Sequence, residues 1–124
     1  MKKMDLLEIL DQIPDYKEFM TIAELDDSSK QLAKNYDNVE LNEIGKSREE
    51  QPIYCLKIGE GEKNALLFAF PHPNEPIGSM SLEFLSHFLA KNREFTKETG
   101  YSWHLIKAID IDGAKLNEGW FKGK

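Results

Sequence analysis

Cysteine is nearly missing from these 124 residues: Cys55 stands alone. One thiol cannot form an internal disulfide, which excludes a disulfide-stapled scaffold, and its neighbours Ile53, Tyr54 and Leu56 predict a buried thiol in a reducing, cytoplasmic compartment. Long apolar runs are missing too. None approaches the roughly 20 residues of a membrane span, and the Leu6–Leu10 run is broken by Glu8 and preceded by Asp5, unlike the apolar heart of a secretory leader. Positive charge is in deficit, 16 lysines and arginines against 22 carboxylates, for a net charge of −6. That balance argues against nucleic acid or an anionic membrane surface as the main partner. No repeat, and no tract of Gly, Pro and Ser long enough to act as a linker, divides the chain, so residues 1–124 read as a single domain.

What is present suffices for a modest core: 40% of the residues are hydrophobic and 10% aromatic. The acidic excess is confined to residues 1–50, with 7 basic and 13 acidic side chains, whereas the remainder holds 9 of each. So polar a segment reads as a solvated surface layer of helices. Leu6, Leu7, Ile9, Leu10 and Ile13 keep a helical rhythm until Pro14. Ser28 or Ser29 is a candidate cap for a second helix running to about Tyr36. Val39–Ile44 and Pro52–Ile58 read as strands, and Ala65–Phe70, apolar at every position, as a central strand covered on both faces. Pro76 then opens a helix with Ile77, Met80, Phe84, Leu85, Phe88 and Leu89 on one face, and Tyr101–Ile109 alternates as a further strand. This order predicts an α/β fold: a mixed sheet with a buried central strand and flanking helices.

His72 and Glu75 stand three apart, directly after the central-strand candidate and directly before a helix. In open α/β sheets ligands collect at the carboxyl ends of strands. An imidazole nitrogen and a carboxylate oxygen on a tight turn can converge on one divalent cation, and zinc accepts both at about 2.0–2.2 Å. The same spacing also arises by chance, and a histidine near a helix start can simply be exposed. His87 reads as a partly buried helix residue and His104 as a satisfied sheet histidine. Asp110 and Asp112 read as turn residues before Gly113, and Trp120 and Phe121 as core or interface anchors.

Beyond single motifs, the chain resembles the zinc metallocarboxypeptidases of the carboxypeptidase A and B type over roughly residues 21–120. The resemblance runs through Leu32–Tyr36, Val39–Leu41, Glu43–Ser47 and Pro52–Gly59, then His72–Gly78, then Asp110–Gly113 with Leu116-Asn117. It implies a partial zinc-carboxypeptidase-like, phosphorylase/hydrolase-like fold and a peptide substrate. It also implies that His72 and Glu75 are two of three protein zinc ligands, with water in the open position. The family's third ligand, a histidine, and its general-base glutamate lie further downstream than Lys124, so the resemblance implies the N-terminal portion of a catalytic domain. The 124-residue chain alone is then expected to be inactive and to hold zinc weakly or not at all.

Some positions depart from the family pattern. Pro73 stands where glycine or alanine is usual, and Glu118 follows Asn117 in place of a basic residue. Near Trp120 and Phe121, where the family has an arginine that polarises the scissile carbonyl, only Lys122 is positive. Lys122 is therefore the candidate oxyanion or substrate contact, and Asn117 a candidate substrate-binding residue. Two rival functions remain. One is a zinc deacylase of N-acyl amino acids, resembling aspartoacylase and succinylglutamate desuccinylase. The other is a non-catalytic relative acting as an assembly module. A sheet left with an open edge or a bare apolar face would also favour a homo-oligomer.

Overall fold

The computed structural model describes residues 5–122. The chain runs through α1 (Leu6–Leu10), α2 (Ile22–Asn35), β1 (Val39–Lys46), β2 (Pro52–Ile58), β3 (Lys63–Phe68), α3 (Ile77–Lys91) and α4 (Arg93–Thr99). It ends with β4 (Tyr101–Ile106), α5 (Ile111–Leu116) and α6 (Glu118–Phe121). The four strands form one sheet in the order β1-β2-β4-β3. β2 is antiparallel to both β1 and β4, and β3 is parallel to β4, which makes the mixed α/β sheet that the element order predicts.

Local chemistry sets most of the boundaries. The structure starts α2 at Ile22, earlier than a Ser28 or Ser29 cap would. Thr21 and Glu24 form a reciprocal capping box: Thr21 Oγ1 accepts from the Glu24 amide (3.2 Å), and Glu24 Oε1 accepts from the Thr21 amide (2.8 Å). The two serines sit inside the helix, whose buried side is Ile22, Leu25, Ser29 and Leu32. β1 extends past Ile44 through a bulge between Glu43 and Gly45, which leaves Ile44 exposed. Gly100, in the left-handed conformation at φ 75°, ends α4 and turns the chain into β4.

α2 packs on β1 and β2, while α3 packs on β2, β3 and β4. Between these helices and the sheet lies the larger core, which includes Leu32, Val39, Leu56, Ile58, Leu82, Phe88, Leu89 and Leu105. A smaller core of Ile22, Leu25, Phe70, Ala108, Ile111 and Ala114 joins the start of α2 to the segments that follow β3 and β4. Ile77 is the exception on the expected inner face of α3: it is 65% exposed. Cys55 is buried, as its neighbours predict, and burial pushes its thiol pKa up.

The position of β3 differs from the sequence expectation. Among the described residues it has one neighbour, β4, and is an edge strand, with Leu66 64% and Phe68 57% exposed. Alternate residues Ala65 and Leu67 turn toward the helices, whereas Leu66 and Phe68 share the opposite face with His104 and Ile106. Among the described residues, no helix is long and apolar enough to cross a membrane.

Candidate metal centre

Because β3 and β4 run parallel, their carboxyl ends share one rim of the sheet. The ladder continues past the formal strands. The Ala69 amide donates to the Ile106 carbonyl (2.9 Å), Ile109 to Ala69 (3.0 Å) and Asp110 to Phe70 (3.0 Å). Phe70 is fully buried and has φ 60°, a conformation that costs a bulky residue energy and persists only when its surroundings enforce it. Here the ladder holds its carbonyl, and its ring packs in the smaller core, 5.9 Å from that of Phe121. This left-handed residue directs the following turn out of the sheet.

On that turn the Glu75 amide donates to the His72 carbonyl (3.2 Å). Both His72 and Glu75 are exposed, and among the described residues neither side chain is engaged by a hydrogen bond or ion pair. Both side chains are of types that zinc accepts and, among the described residues, stand without partners on the turn after β3, so their chemistry fits part of a zinc donor set. Among the described residues, no group of three His, Cys, Asp or Glu side chains could hold a metal ion.

The segment after β4 closes against this turn. Asn117 Nδ2 donates to the carbonyl of Pro73, between the two candidate ligands, at 2.8 Å. Asp110 caps α5 by accepting from the Gly113 amide (3.1 Å). Asp112 accepts from Ser47 Oγ (2.7 Å) and from the Glu49 amide (3.1 Å), so it ties the β1–β2 loop to the same rim. Glu118, where the family pattern has a basic residue, accepts from the Ile22 amide at 2.8 Å and favourably occupies the N-terminus of α2. Lys122 lies 3.2 Å from both Glu18 and Glu24, and its hydrogen bond to Glu18 leads the effects that raise its pKa. A role at an oxyanion would require its release from these carboxylates.

Between the N-terminal segment and α6 a cleft of about 520 Å³ is lined by Tyr16, Phe19, Ile77, Met80, Phe121 and Lys122. It borders the turn, since Ile77 opens the helix that follows Glu75. Trp120 is 65% exposed, whereas Phe121 packs edge-on to Phe19. His104 meets Asn64 Oδ1 across the sheet at 2.9 Å, away from the candidate ligands.

A second polar cluster was not legible from spacing. Glu83, on the buried side of α3, pairs with Lys107 at 2.7 Å, and both side chains are nearly inaccessible. Its other oxygen accepts from Ser28 Oγ (2.6 Å) and lies 2.9 Å from His87 Nε2. Burial pushes the Glu83 pKa up, but His87, Lys107 and Ser28 together outweigh it and hold the carboxyl at about 2. At Lys107 burial wins over the attraction of Glu83, and its pKa falls. Asp26 is drawn up to about 6, chiefly by burial, with Lys30 and Lys115 opposing. The available signal was a charge flanked by apolar residues, Leu82-Glu83-Phe84 and Ile106-Lys107-Ala108.

The zinc carboxypeptidase family model matches residues 25–124. No curated protein matches the chain. Among solved structures, bovine thrombin-activatable fibrinolysis inhibitor, in complex with a tick carboxypeptidase inhibitor, superimposes with a TM-score of 0.77. The identity is 17%, over 88% of this chain and 37% of that one. Another structure of thrombin-activatable fibrinolysis inhibitor gives a TM-score of 0.70 at 15% identity, over 94% of this chain and 35% of that one. The chain thus spans about a third of the length of these structures, which share its fold. With that family model matched over most of its length, the chain belongs to the zinc carboxypeptidase family.

Proposed function

We propose that these residues form part of a zinc-dependent carboxypeptidase, in which His72 and Glu75 supply two protein ligands to one zinc ion. The observation that carries this reading is the exposed, unengaged His72–Glu75 turn at the carboxyl end of β3, within a chain of this family. The chemistry zinc supplies when bound is polarisation of a carbonyl and activation of water. The chain's own part is to present an imidazole and a carboxylate from a turn closed by the Glu75 amide and fixed at its base by Phe70. The neighbouring cleft, with Phe19, Ile77, Met80 and Phe121 on its wall beside the charged Lys17 and Glu18, offers apolar contact to a side chain of a peptide substrate. Lys122, at its edge, would serve a developing oxyanion once freed from Glu18 and Glu24.

The 124-residue chain by itself is proposed to lack peptidase activity, since the two ligands leave a zinc site incomplete. In a protein of family length that contains these residues, chelator-sensitive release of a C-terminal amino acid from a peptide is expected, and His72→Ala should abolish it. Hydrolysis of N-acyl amino acids without peptide cleavage would contradict the reading. The open β3 edge, with Leu66 and Phe68 bare, supports self-association of the isolated chain. Light scattering that gives a monomer at all concentrations would count against that part.

A further inference from the structure

We infer that Asn117 and Gly113 form a clamp on Pro73 that sets the spacing of His72 and Glu75, which makes Asn117 a positioning residue rather than a substrate contact. The inference rests on the metal-ligand reading of that pair and goes beyond it. Two independent contacts from one segment converge on the residue next to His72. The first is polar: the Asn117 amide donates to the Pro73 carbonyl at 2.8 Å. The second is steric. A Cβ added at Gly113 would lie 2.9 Å from Pro73 Cβ and 2.5 Å from Asp110 Oδ2, so the glycine allows α5 to approach the turn this closely.

Both contacts are anchored. Asp110 caps α5 through the Gly113 amide, and the Asp110 amide is itself held by the Phe70 carbonyl at 3.0 Å. The Asn117 amide N–H donates to the carbonyls of Gly113 (3.2 Å) and Ala114 (3.0 Å), which fixes the backbone that carries the side chain. The route from Phe70 through Asp110 and α5 back to Pro73 thus closes around the turn. Pro73 contributes a rigid φ and no amide hydrogen, so its carbonyl is the polar handle through which the middle of the turn can be held. A partner that orients a ligand-bearing segment without touching the metal ordinarily changes metal affinity by roughly 10–100-fold.

The test uses the intact chain and two variants. Asn117→Ala removes the amide, while Asn117→Asp keeps its size but sets a carboxylate oxygen against the Pro73 carbonyl. Without metal, hydrogen exchange of the Glu75 amide is expected to speed up about ten-fold or more in both variants, with amides in β2 unchanged. Zinc titration read at the His72 ring signal is expected to need roughly 10–100-fold more zinc in Asn117→Ala. Asn117→Asp behaving as wild type would mean that the residue only fills space, and would overturn the proposal. So would unchanged Glu75 exchange in Asn117→Ala. A wild-type His72 signal that ignores zinc would count against the metal reading alone, and Glu75 exchange would still decide the clamp.

Discussion

The molecule contains two histidine–glutamate pairs close in sequence, and they have opposite fates. Glu83 and His87 lie four apart on α3, on one face of the helix, with Nε2 2.9 Å from Oε2. Ser28 and Lys107 complete the partners of Glu83. His72 and Glu75 lie three apart on a turn, both exposed, with their backbones bonded to each other and their side chains free among the described residues. Residue type does not separate a structural cluster from a proposed ligand pair here. What separates them is whether the donor atoms are already engaged.

The strongest way to sharpen this contrast is to break the saturated pair. Glu83→Ala leaves the Lys107 ammonium buried without its partner and is expected to cost roughly 3–5 kcal/mol, read by denaturant unfolding. The pH dependence carries the same sign. A carboxyl whose pKa falls from 4.5 unfolded to about 2 folded stabilises the protein fully above 4.5. That contribution, on the order of 3 kcal/mol, is lost as the pH falls through 2. Glu83→Gln should therefore flatten the acid limb of the stability curve.

Asp26 shows the reverse effect. Its pKa rises from 3.8 to about 6, so the folded state holds its proton more tightly and the ionised form costs stability at neutral pH. Asp26→Asn is expected to stabilise the protein at pH 7 by about 1–2 kcal/mol after allowance for solvent screening, and to have little effect below pH 4. No gain at pH 7 would show that Lys30 and Lys115 compensate the carboxylate fully. The smallest effect is expected at the free pair: His72→Ala and Glu75→Ala should each change stability by less than about 0.5 kcal/mol, as exposed side chains without partners.

The sequence showed the strands and the turn that carries His72 and Glu75 more clearly than the neighbours of either. Pro52–Ile58 forms β2 with the expected bounds, because β-branched and aromatic residues between turn signals leave little choice. The Ala65–Phe70 run was read as doubly covered, yet Leu66 and Phe68 are bare: an unbroken apolar run specifies burial without naming the element that provides it. Thr21-x-x-Glu24 carries a capping-box pattern that the Ser28 or Ser29 reading passed over, and those serines lie inside the helix, Ser28 as a partner of Glu83. The position of His72 and Glu75 on a turn after β3 was legible because the apolar run before them and Pro76 after them bound it. The hold of Asn117 on Pro73 joins residues 44 positions apart and depends on how α5 docks, which no local pattern encodes.

The most direct test of the central claim, that His72 and Glu75 share one cation, is a zinc titration followed at the ring signals of the three histidines by NMR. The account predicts a weak shift at His72 that saturates only at high zinc, none at His87 or His104, and loss of the His72 response in Glu75→Ala. A His72 signal that stays fixed, or that responds equally with Glu75 removed, would contradict it.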